Sequence, residues 1–300
     1  MPESRRNSVQ ATLVSRAMLR DWPLPQPDGD DDKESRGRVL VVGGEVAIPG
    51  AVVLAGIAAL RAGAGKLQIA TCRSIAPTVG VTVPEALALG LDENPNGTIA
   101  ESSVASLKSL IEGTDAILIG PGMRIGDDSN RFVSRLVPEC AEYSVVLDAG
   151  ALGILKSSRN SLEPFGGNAV ITPHAGEMAG ILGIDKKKIE ARPGETSIDA
   201  ARSMGAVVAL KGSNTFIATP DGDLYCYESG DVGLATSGSG DTLAGLITGL
   251  LARGTDPLHA ALWGVFLHGA AGNVLAKRIG RIGYLARELL DEIPALMNDV

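Results

Sequence analysis

Six short runs, residues 39–42, 67–70, 116–119, 145–147, 170–171 and 207–210, are apolar but for Gln68, free of formal charge and rich in β-branched side chains. Strands buried on both faces read this way. Between them, residues 51–62, 104–111, 132–137, 178–182 and 198–204 repeat apolar side chains at three- and four-residue steps, the period of an amphipathic helix. That alternation predicts a mostly parallel sheet covered by helices. Residues 215–218 and 224–227 flank Pro220-Asp-Gly-Asp223, a turn signal that predicts an antiparallel hairpin late in the sheet. Two helices are expected to follow residue 256.

Composition narrows the class further. With 38 glycines, 16 prolines, 45% hydrophobic residues and only 3% aromatics, the chain suits many short elements packed on Ala, Val, Leu and Ile rather than a β-sandwich. Residues 1–36 lack a sustained apolar period and end in the acidic run 28–34, so they read as a mobile tail ahead of one domain over 37–300. Arg5 and Arg6 are followed by no apolar core of a signal peptide. A net charge of −8 without clustered Lys and Arg argues against nucleic acid as partner. Cys72, Cys140 and Cys226 are odd in number and lack CxxC spacing, which fits a reducing cytoplasm and neither a disulfide framework nor a thiolate metal site. The longest uncharged stretch, 257–276, holds His259, His268 and Asn273 and reads as a buried helix rather than a membrane span.

In an open α/β sheet the ligand crevice lies at the carboxyl ends of the strands. Four loops there are rich in glycine and polar residues: Gly43-Gly44 through Gly50-Ala51, Gly120-Pro-Gly122, Asp148-Ala-Gly150 and Thr172-Pro-His174-Ala-Gly-Glu177. A fifth stretch, Gly233-Leu-Ala-Thr-Ser-Gly-Ser-Gly-Asp241-Thr-Leu-Ala-Gly245, runs from a glycine turn into an apolar helix. The amides of Gly238, Ser239 and Gly240 would there face an anion at the positive end of the helix dipole. Each feature has a plain alternative. Asp241 and Asp148 could be caps, Gly120-Pro-Gly122 a tight turn, His174 a loop histidine satisfied by its neighbours, and Lys211 a side chain reaching into solvent. Asp127 and Asp128 read as solvated loop charges, and His259 and His268 as packing and hydrogen-bonding residues.

Thr172-Pro-His-Ala-Gly-Glu177, Lys211-Gly-Ser-Asn-Thr215, Pro220-Asp-Gly222 and the glycine-rich stretch to Gly245, together with Gly50-Ala51, Ala58-Ala-Leu-Arg61-Ala-Gly-Ala-Gly65, Val83-Pro-Glu85 and Gly120-Pro-Gly122, resemble the NAD(P)H-hydrate dehydratases of the ribokinase-like superfamily. The resemblance covers about residues 37–276 and leaves no room for the epimerase domain fused to some members. It departs from the family at Gly43-Gly44-Glu45, where Gly-Ser is more usual, and at Asp32-Lys-Glu-Ser-Arg36, where a more basic approach is expected.

The resemblance implies a three-layer α/β/α sandwich and ADP- or ATP-dependent repair of hydrated NADH and NADPH, with Mg²⁺ on the nucleotide and a homotetrameric assembly. It assigns Lys211, Gly212, Ser213, Asn214, Thr215, Gly238, Ser239 and Gly240 to the nucleotide, and Ala51, Gly122, His174 and Asp241 to the hydrated dinucleotide. The chemistry fits: phosphorylating the ring hydroxyl turns it into a good leaving group, which needs alignment, charge stabilisation and a base, the role assigned to Asp241. Two other readings suit the same residues, a small-molecule alcohol kinase and a nucleotide-binding regulatory protein without turnover.

Overall fold

The computed structural model describes residues 10–26, 33–228 and 230–300. Ten strands, β1 (Thr12–Leu13), β2 (Arg38–Val42), β3 (Lys66–Cys72), β4 (Ala86–Leu91), β5 (Ala116–Ile119), β6 (Ser144–Leu147), β7 (Ala169–Ile171), β8 (Val207–Leu210), β9 (Thr215–Ala218) and β10 (Leu224–Tyr227), form one sheet. Their spatial order is β1-β10-β9-β8-β7-β6-β5-β2-β3-β4. Only β9 runs against its neighbours, pairing antiparallel with β8 and β10. The sheet is therefore mostly parallel, as the alternation predicts, and the hairpin forms where Pro220-Asp-Gly-Asp223 places it.

Among the described residues eleven α-helices cover the two faces: α1 (Arg16–Arg20), α2 (Gly50–Arg61), α3 (Ala76–Thr82), α4 (Val104–Ile111), α5 (Asp127–Leu136), α6 (Ala175–Leu182), α7 (Lys186–Ala191), α8 (Pro193–Met204), α9 (Ser239–Ala252), α10 (Pro257–Arg278) and α11 (Ala286–Asn298). Alternate residues of each strand feed opposite cores. Val39 and Val41 of β2 join α2, α9 and α10, while Leu40 and Val42 join α4, α5 and the 3₁₀ turns after β6. Both faces are dry, which is why these strands are continuously apolar.

Helix α9 runs through one of these layers with twelve of its fourteen residues buried. A Cβ at Gly245 would lie 2.2 Å from the Ala55 carbonyl oxygen, so only glycine lets α2 and α9 approach this closely. Helix α10 is long and apolar enough to cross a membrane by length and composition, the one such helix among the described residues. Yet 67% of that stretch is buried inside the fold, as a buried helix requires.

The expectation of a mobile tail over 1–36 needs correction. Within it, residues 10–26 and 33–36 are described, and they are built into the fold. Strand β1 pairs in parallel with β10, and the Val14 amide donates to the Cys226 carbonyl. Leu19 is fully buried, and the Trp22 carbonyl accepts from the Trp263 indole. Glu34 forms ion pairs with Arg38 and Lys66. The rest of the acidic run lies outside the described residues. Asp127 and Asp128 are also not loop charges: they open α5, where carboxylates favour the helix dipole, and Asp128 accepts from Asn96.

Candidate active site

Strand order reverses direction between β2 and β5, the point at which an open sheet leaves a crevice beyond its strand ends. The loops after β2 and β5 meet there. The Gly44 amide donates to the Pro121 carbonyl and the Glu45 amide to that of Gly122. Gly122 has φ +68°, and a Cβ on it would lie 2.5 Å from the Ile48 carbonyl oxygen and 3.1 Å from the Ala51 Cβ. Ala51 and Gly122, both assigned to the substrate by the resemblance, thus pack closely against one another. Glu45, fully buried, fastens these loops: its carboxylate accepts from the Arg124 amide at 2.9 Å, the Arg124 guanidinium and the Ser129 hydroxyl.

Next along the rim, Asp148 follows β6. Its side chain makes no capping bond. It is 3% exposed and accepts from the Thr172 hydroxyl and the Lys211 ammonium, each at 2.8 Å. The following residue, Ala149, has φ +48°, the only positive φ outside glycine among the described residues. A non-glycine residue in this left-handed region costs on the order of 1–3 kcal/mol and is held there by its surroundings. Lys211 is likewise drawn inward. Burial opposes its charge, yet the carboxylates of Asp148, Glu177 and Asp241 outweigh that and hold its pKa above the ordinary value.

His174 ends the loop after β7 and caps α6 through Nδ1, which accepts from the amides of Gly176 and Glu177 at 3.0 Å each. Amides only donate, so the imidazole proton resides on Nε2. The two sequence readings of His174 are compatible: Nδ1 is structural, and the Nε2–H remains a donor on a side chain that is 59% exposed. Glu177 closes the capping box by accepting from the His174 amide.

Asp241 occupies the third position of α9, whose N-cap is Gly238 with φ +88°. It is not the cap. Burial, and then the charge of Asp148, push its carboxyl from 3.8 to about 6 against the pull of Lys211. Its ionised form is therefore a stronger base than an ordinary aspartate, and proton transfer to it is most effective near neutral pH.

A cavity of about 750 Å³ opens over the α9 terminus. His174, Lys211, Gly212, Ser213, Thr215, Ser239 and Gly240 line it, whereas Asn214 and Gly238 do not. Ala51, Gly122 and Asp241 are not among the residues that line this cavity, whereas His174, which the resemblance assigns to the hydrated dinucleotide, lines it together with the residues assigned to the nucleotide. In its apolar wall Leu234 and Leu243 come from the glycine-rich stretch, whereas Tyr227, Val265 and Gly269, with Asp231, Arg281 and His268, lie outside every motif. Only their spacing and chain position could have pointed to them. Among the described residues no three His, Cys, Asp or Glu are grouped to hold a metal ion. A Mg²⁺ carried on phosphates needs only one or two protein carboxylates, and Asp148 and Asp241 are the oxygen donors that would meet it here.

A mostly parallel sheet with a glycine-rich helix N-terminus, a half-buried lysine and a buried carboxylate beside it fits the ribokinase-like class of enzymes. The sequence model of the NAD(P)H-hydrate dehydratases matches residues 39–295, and the chain belongs to that family. It is 52% identical over 285 residues to the ADP-dependent (S)-NAD(P)H-hydrate dehydratase of Xanthomonas campestris pv. campestris, spanning 95% of this chain and 96% of that one. The crystal structure of the ADP/ATP-dependent NAD(P)H-hydrate dehydratase from Bacillus subtilis, co-crystallized with ATP/Mg²⁺, superposes with a TM-score of 0.81 at 29% identity over 97% of this chain and 99% of that one. A hydroxyethylthiazole kinase from Pyrococcus horikoshii, at 19% identity and TM-score 0.61 over 88% and 89% of the two chains, shares the fold alone.

Proposed function

We propose that this chain dehydrates the hydrated forms of NADH and NADPH at the expense of ADP or ATP, releasing phosphate and the restored dinucleotide. The observation that carries this reading is Asp241: a carboxylate in the first turn of α9, pushed up to about 6 by burial and by Asp148, with the Lys211 ammonium beside it. The nucleotide would occupy the cavity, its phosphates toward Lys211 and the amides of Ser239 and Gly240. Mg²⁺ on those phosphates would neutralise charge that builds during transfer. Lys211 supplies a fixed positive charge to the phosphoryl group, held in place by Asp148. Asp241 takes the proton of the ring hydroxyl as that oxygen attacks phosphorus, and the His174 Nε2–H is placed to donate to the substrate. With the hydroxyl oxygen phosphorylated, the ring nitrogen lone pair expels it as inorganic phosphate, and the iminium left behind loses a proton from the neighbouring ring carbon to restore the double bond. The protein's further part is to exclude water, which the close Gly122–Ala51 packing assists.

A homotetramer in the cytoplasm is part of this reading, and the three buried, free cysteines suit a reducing compartment. Residues 10–300 are taken as one domain. The test is an assay of hydrated NADH with ADP and then ATP, reading dihydronicotinamide absorbance and inorganic phosphate together. Recovery of absorbance with stoichiometric phosphate is expected. Transfer of phosphate to a stable ester of an alcohol, without absorbance recovery, would favour a kinase instead. No turnover with either would leave a nucleotide-binding protein.

A further inference from the structure

Helix α10 brings one polar ring into an otherwise apolar layer. His268 stands between Leu267 and Gly269, both buried, and reaches the first residue of α9. Its Nε2 lies 2.8 Å from the Ser239 hydroxyl oxygen. Both side chains line the nucleotide cavity beside Lys211 and Gly240, and Ser239 is 5% exposed. A leucine at 268 would pack as well and cost no polar burial, so packing does not account for the imidazole. Nor does capping account for the hydroxyl. The N-cap is Gly238, and the Ser239 hydroxyl pairs with His268.

We propose that the Ser239 hydroxyl is a phosphate donor in the nucleotide site and that His268 is the residue that positions it. This rests on the cavity being the nucleotide site. Burial pushes the His268 pKa down to about 4, so the ring is neutral in the cell and owns one N–H. Two proton arrangements are then open. Either the hydroxyl donates to a lone pair on Nε2, or the Nε2–H donates to Oγ and frees the hydroxyl proton. A phosphate oxygen in the cavity selects the second, because an anion attracts the free proton and the chain of two hydrogen bonds polarises toward it. His268 touches no substrate in this arrangement; it acts through Ser239.

The test uses the full chain and calorimetry with two ligands, ADP and adenosine. Hydrogen bonds to charged groups are worth roughly 1.5–3 kcal/mol, so Ser239→Ala and His268→Leu are each expected to weaken ADP about 10- to 100-fold. Adenosine, which lacks phosphate, should change less than about twofold. Because the two groups work as one chain, the double variant should bind ADP no worse than the weaker single variant. His268→Gln, which keeps a donor near the Nε2 position, should recover most of the affinity. Equal losses for ADP and adenosine would mean a merely structural wall and overturn the proposal, as would unchanged ADP affinity in Ser239→Ala. That variant carries the test alone if His268→Leu does not fold. A parent protein that binds no ADP would overturn the nucleotide reading itself, and this inference with it.

Discussion

Asp241 shows how one residue's environment sets both reactivity and stability. Burial and Asp148 raise its carboxyl to about 6, so the acid limb of the kcat/KM profile for dehydration is expected near pH 6. An ordinary aspartate would place it near 4. A limb near 4 would mean that another group supplies the base. The same shift works against the fold. An acid whose pKa is higher folded than unfolded binds more protons in the native state between 3.8 and about 6. Its favourable contribution is therefore present at low pH and lost as pH rises through that window. At pH 7 the ionised Asp241 is thus a burden that Asn would remove. Asp241→Asn is expected to cut turnover on the order of 10² to 10⁴, to leave ADP affinity largely intact, and to raise the melting temperature at pH 7. Near-normal turnover in the folded variant would send the search for the base to Asp148 or His174.

At the scale of elements, what was legible followed the motifs and what was not lacked them. Strands β2, β5 and β8 are unbroken apolar runs, and the structure places them within a residue of their expected bounds. Strand β4, Ala-Leu-Ala-Leu-Gly-Leu, went unread because alanine and leucine favour helix; its pairing with β3 overrides that preference. Helix α3 was hidden by Pro77, Gly80 and β-branched Val79, Val81 and Thr82. Strand β1 has two residues and no period to find. In the site, the glycine loops were visible, but the Thr172–Asp148–Lys211 chain was not. It joins three strand ends across 63 residues, and no local pattern encodes such a meeting. The junction of α9 with β8 is testable. A Cβ at Gly240 would stand 3.3 Å from the Lys211 ammonium and 3.9 Å from Asp148. Gly240→Val is therefore expected to weaken ADP at least tenfold while far-ultraviolet circular dichroism stays native; unchanged affinity would move the phosphates elsewhere.

For the whole molecule, the corrected N-terminal segment changes what a truncation should do. Removing residues 1–26 strips a fully buried Leu19 and the carbonyl partner of Trp263. Burial of Leu19 alone is worth about 2–5 kcal/mol by comparison with leucine-to-alanine changes in cores. The truncated protein is expected to melt at least several degrees lower, and Leu19→Ala to reproduce much of that loss. Equal melting of parent and truncation would show the segment to be a passenger. The two-residue β1 has another consequence, for how these molecules meet one another in solution. Without it, β10 would end the sheet with a row of unpaired amides and carbonyls along Leu224–Tyr227, an invitation to add a strand from a neighbouring chain. By pairing with Tyr225 and Cys226 in that row, a strand too short to be a template in its turn leaves a neighbouring molecule less edge on which to grow.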